Sequence, residues 1–111
     1  MTQHYYPAKD ADGNPVEIMV GWDRPLHEVY ANIFPVMPGG EPDDFPVIST
    51  MQEGIGAGMD ADELEQWLEA KGFSMPAAVH SALADDIEFN RGNAMTRYDE
   101  AGNIKPQSSN H

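Results

Sequence analysis

Residues 16–36, VEIMVGWDRPLHEVYANIFPV, constrain the fold more than any other stretch. Val16, Ile18, Val20 and Trp22 recur at a spacing of two, with Glu17, Met19 and Gly21 between them. A strand places alternate residues on opposite faces, so the first set faces a core. Asp23-Arg24-Pro25-Leu26 then reverses the chain, because Pro25 fixes φ and lacks a backbone donor. A strand over residues 28–34 follows, apolar on both faces: Val29, Ala31 and Ile33 on one, Tyr30 and Phe34 on the other. Such a strand is central in its sheet or meets a partner on its outer face.

The flanking segments extend this hairpin. Residues 4–8, HYYPA, suit a strand, and Pro7 points to an edge position. Asp10-Ala11-Asp12-Gly13-Asn14 is turn chemistry, with glycine where φ must be positive. It is not an EF-hand loop, since the glycine comes too early and no glutamate closes the loop. Residues 45–50, FPVIST, form a fourth candidate strand, and the glycine-rich 51–58 reads as a connector. A helix opens at Asp60, which pairs with Glu63 in a capping box, and stops at Gly72. Leu64, Trp67 and Leu68 form its buried stripe. Ser74 caps a second helix with the stripe Met75, Val79, Leu83 and Ile87. Residues 94–98 and Ile104 flank a second hairpin turn, Asp99–Asn103, and the chain frays after Pro106. The fold expected is a single α+β domain: an antiparallel sheet of three to five strands with two helices packed on one face.

Charge narrows the partners. The formal net charge is −13, and ten acids with no Lys or Arg separate Arg24 from Lys71. That field repels phosphate backbones and anionic membranes. With no cysteine, there is no thiol chemistry, which fits a reducing compartment. The first residues, MTQHYYPAKD, are not a secretory signal, and no apolar run is long enough for a membrane span. The localisation expected is cytoplasmic.

No convergent catalytic set, cofactor motif or metal-ligand set is legible. His4, His27, His80 and His111 lack the spacing of a helical metal site. Asp43-Asp44 and Asp85-Asp86-Glu88 read as solvated acids. The run GWDRPLHEVYANIF, preceded by DADGNPVE, resembles uncharacterised small acidic bacterial proteins in which a G-W/Y-D-x-P-L segment follows a first hairpin. Some of these are cargo of integron gene cassettes. The resemblance covers about the first third of the chain. It marks Gly21, Trp22, Asp23, Pro25 and Leu26 as the shared core of the hairpin and implies no activity.

Three functional readings follow. The leading one is a non-enzymatic interaction or adaptor protein, self-associating through Tyr30 and Phe34. The second is a small-ligand protein or enzyme, with a pocket between sheet and helices near Trp22, Asp23, Arg24, His27 and Tyr30. The third is an acidic mimic of nucleic acid that binds a basic protein.

Overall fold

The computed structural model describes residues 1–105; the expected fraying past Pro106 lies outside the described residues. Five strands form one sheet in the order β4-β3-β2-β1-β5. They are β1 (Thr2–Lys9), β2 (Pro15–Asp23), β3 (Glu28–Pro35), β4 (Ile48–Ser49) and β5 (Ala94–Arg97). Three helices complete the fold: α1 (Thr50–Glu53), α2 (Ala61–Ala70) and α3 (Ala77–Glu88). The architecture is α+β, with α2 and α3 on one face of the sheet.

The sheet is mixed, not purely antiparallel. β1–β2, β2–β3 and β3–β4 are antiparallel, but β5 runs parallel to β1, with Thr2 opposite Ala94 and Tyr5 opposite Arg97. The chain reaches β5 through the helices, and that crossover permits a parallel pairing. β5 also makes β1 an interior strand. Pro7 is tolerated there for a local reason. The Tyr5 carbonyl accepts from the Tyr98 N–H, so odd-numbered residues of β1 direct their backbone groups toward β5. The β5 ladder ends at Tyr5, and the missing donor of Pro7 falls beyond it.

Period two places the core as expected. Val16, Ile18, Val20, Trp22, Val29, Ala31 and Ile33 are buried beneath Leu64, Leu68, Val79 and Leu83. Each fully buried aliphatic side chain contributes roughly 1.5–3 kcal/mol of burial free energy. α2 is capped as its sequence requires: Asp60 accepts from the Glu63 N–H at 2.8 Å, and Glu63 accepts from the Asp60 N–H at 3.1 Å. Its end is a Schellman motif, in which Phe73 N–H donates to Leu68 O and Gly72 N–H to Glu69 O.

The two D-x-x-G-N turns are built alike. Asp10 Oδ1 accepts from the Asp12 and Asn14 N–H groups, and Asp99 Oδ1 from those of Ala101 and Asn103. The second hairpin closes through a Tyr98–Ile104 bridge.

Three further expectations change. The fourth strand shrinks from 45–50 to Ile48–Ser49, because Pro46 cannot donate to a ladder. Part of the glycine-rich connector is a helix, α1, capped by Ser49. Ser74 does not cap α3; Pro76 occupies the N-cap without a side-chain bond. The Ser74 carbonyl instead accepts from the Tyr6 hydroxyl at 3.1 Å.

Candidate functional site

The helices cover one face of the sheet. The other face carries the alternate residues of β1, β2 and β3: Tyr5, Glu17, Tyr30, Asn32 and Phe34, all half-buried, around a buried Met19. Its centre is electrically quiet. Glu17 pairs with Arg97 at 3.1 Å, and the Arg97 guanidinium lies 4.5 Å from the Tyr5 ring centroid. Cation and carboxylate thus cancel on the face itself.

Tyr30 organises the middle of this face. Gly21 is its cross-strand partner, and the Tyr30 hydroxyl reaches past it to donate to the Thr2 carbonyl. A Cβ at Gly21 would lie 2.6 Å from the Tyr30 hydroxyl oxygen and would collide with the Thr2 carbonyl oxygen. Glycine in a strand interior therefore marks a close approach here. Burial pushes the Tyr30 phenol well above its usual range, with Tyr5, Asp23 and Asp86 adding to the shift. Beside Tyr30 lies a hollow of about 190 Å³. Met19, Leu26, Met51 and Ile55 supply its apolar wall, and Asp23 and Glu28 sit at its acidic end. Leu26 and Met51 are strongly exposed, at 64% and 85%.

The five residues proposed for one pocket do not converge. Trp22 points into the core, where its indole N–H donates to Asn90 Oδ1 at 2.9 Å. Tyr30 points to the opposite face, as strand alternation between neighbouring registers requires. Asp23 shares the hollow with Tyr30, and its Oδ1 accepts from the Leu26 N–H at 3.3 Å. That bond closes the turn without Arg24, which lies against Gly92. His27 is exposed, takes a positive φ of 53°, and meets the Trp22 ring edge-on at 5.7 Å. A hollow between sheet and helices does exist, of about 380 Å³, at the far end of β2. Tyr6, Lys9, Val16, Phe73 and Pro76 line it, and none of the five belongs to it.

Two clusters escaped sequence reasoning. The first is buried. His4 Nε2 lies 2.6 Å from Asp86 Oδ2, and His4 Nδ1 lies 3.0 Å from the Tyr98 hydroxyl. Arg91 Nε reaches Asp86 Oδ1 at 3.3 Å. The imidazole thus bridges the Asp86 carboxylate and the Tyr98 hydroxyl through its two ring nitrogens. The order Asp–His–Tyr has the form of a proton relay. His4, Asp86 and Tyr98 are each no more than 4% exposed, however, so no substrate reaches the imidazole. The network is a strut joining β1 to α3. A signal was present: Asp86 stands seven residues after Val79, on the same helical stripe.

The second cluster is at the surface. Asp62 and Glu65 of α2 meet His80 of α3, and one ligand atom from each lies within 4.8 Å of the others. The two carboxylates share a helix face at a spacing of three, but only the packing of α2 on α3 brings the histidine to them. Among the described residues, no helix is long and apolar enough to cross a membrane. No family model, no curated protein and no solved structure matches the chain.

Proposed function

We propose that this chain is a non-enzymatic interaction module that pairs with a second copy of itself through the uncovered face of its sheet. The observation that supports this is the contrast between its two sides. At a net charge of −13, two copies repel wherever their carboxylates meet. The helix side carries Asp62, Glu63, Glu65, Glu69, Asp85 and Glu88. The sheet side carries Glu17, neutralised by Arg97, among Tyr5, Met19, Tyr30, Asn32 and Phe34, with Asp23 and Glu28 at one end of the face. Two copies oppose fewer carboxylates there than they would through the helix side.

Size supports the same reading. At about 3.4 Å per residue and 4.8 Å between strands, the sheet face covers roughly 500 Å². Leu26, Met51 and Ile55 at its rim raise that toward the ~800 Å² per partner of a standard interface. An isologous contact about a two-fold axis is the simplest closed arrangement. Sedimentation velocity across a concentration series tests the proposal. A dimer that Phe34→Lys converts to monomer, with unchanged circular dichroism, is the expected result. A wild-type monomer at every concentration refutes it.

A second reading rests on the hollow between β2 and the α2–α3 link. Its ~380 Å³ falls in the range of small-molecule sites, and Lys9 and Glu100 line it with one charge of each sign. Ligand-induced NMR shifts confined to Val16 and Phe73 would favour it. Shifts elsewhere, or none, count against it.

A further inference from the structure

We infer that Asp62, Glu65 and His80 form a binding site for a divalent transition-metal ion of the zinc class. The donor set is two carboxylate oxygens and one imidazole nitrogen, which suits zinc and its neighbours better than magnesium or calcium. His80 Nε2 lies 2.6 Å from Asp62 Oδ1 and 3.7 Å from Glu65 Oε1. Around a tetrahedral ion with bonds near 2.0–2.1 Å, ligand atoms stand about 3.3–3.4 Å apart. The two separations from His80 bracket that figure, and all three ligand atoms lie within 4.8 Å of one another, so small side-chain adjustments bring them to one ion.

The backbones beneath the ligands are fixed. α2 is locked at both ends, by the Asp60–Glu63 box and by the turn at Gly72. α3 is held by Val79 and Leu83, the first of them next to His80 and both fully buried. Little ordering entropy remains for binding, beyond three side chains already in contact.

Charge and access point the same way. Among the described residues, the ion-pair partner of both carboxylates is His80. A divalent cation neutralises the pair of carboxylates completely. A hollow of about 220 Å³ opens beside His80, lined also by Asp60, Ala84, Ile87 and Glu88. With three protein ligands, the coordination sphere keeps at least one position open toward this hollow, as catalytic rather than structural zinc sites do. Water, or a group on another molecule, can take it.

Isothermal titration with zinc chloride alone tests the site. The expected result is about one equivalent bound, with magnesium chloride much weaker. His80→Ala and Asp62→Asn should each weaken zinc binding by about tenfold or more, a change of ~1.4 kcal/mol or greater. His27→Ala, at an exposed histidine away from the cluster, should leave the affinity unchanged. Both ligand variants lie on the surface, and thermal melts verify that they fold. Cobalt supplies a second readout: visible absorption from the bound ion that disappears in His80→Ala. The inference is overturned if magnesium binds as tightly as zinc, or if His80→Ala leaves zinc affinity intact. Either result reduces the cluster to an ordinary ion pair on an acidic surface.

Discussion

Replacing Asp86 by alanine should be among the most damaging single changes in the chain. Its carboxylate is 95% removed from solvent, accepts from His4 and is ion-paired with Arg91. Alanine leaves the His4 Nε2–H buried without an acceptor and frees the Arg91 guanidinium. Removing one partner of a buried pair costs about 3–5 kcal/mol. That is a fifth or more of the ~5–15 kcal/mol that holds a domain of this kind together. The unfolding entropy, about 2.1 cal/mol/K per residue, amounts to ~0.23 kcal/mol/K over 111 residues. The melting temperature should therefore fall by roughly 13–21 °C. Asp86→Asn keeps an acceptor for His4 and should cost about 1–2 kcal/mol. Differential scanning calorimetry on Asp86→Leu, His4→Leu and the double variant isolates the coupling. The double variant should lose less than the sum of the singles, since neither orphaned group remains. A fall below ~4 °C for Asp86→Ala, or strict additivity in the cycle, refutes the claim that this pair is a structural strut.

Two further predictions follow from the same geometry. Gly21→Ala forces a methyl group into the Thr2 carbonyl and the Tyr30 hydroxyl, so the urea midpoint should drop by the equivalent of about 1–3 kcal/mol; an unchanged midpoint contradicts the close approach. Burial raises the phenols of Tyr6, Tyr30 and Tyr98, with Glu65 adding to the first and Asp86 to the last. The folded state thus keeps protons that the unfolded state releases above pH ~10, so this contribution is complete below that pH and stability declines as pH rises past it. Denaturation series at increasing alkaline pH, with phenolate absorbance as the second readout, should show that decline, whereas constant stability contradicts it.

The sheet was legible because period-two burial writes itself directly into residues 16–36. The capping box and the two aspartate turns were legible because their partners are three to four residues apart. What escaped was long-range. The parallel docking of β5 on β1 depends on where α2 and α3 deliver the chain, not on the sequence of residues 94–97. The His4–Asp86 bond spans 82 positions, and Asp86 sits in a run of acids that looks solvated. Pocket residues chosen by proximity along the chain separated for a simple reason: Trp22 and Tyr30 lie on opposite faces of adjacent strands. Asp62 and Glu65 had the right helical spacing, but their histidine came from another helix.

The absence of cysteine makes the central claim directly testable by single-cysteine cross-linking. Asn32→Cys places a thiol in the middle of the uncovered sheet face, and Gln66→Cys places one on exposed α2. Each variant is treated with a short bifunctional thiol reagent at low protein concentration, and the covalent dimer is quantified. Pairing through the sheet predicts efficient dimer formation for Asn32→Cys, abolished by adding Phe34→Lys, and little for Gln66→Cys. Dimer from Gln66→Cys alone, or none from either, contradicts it.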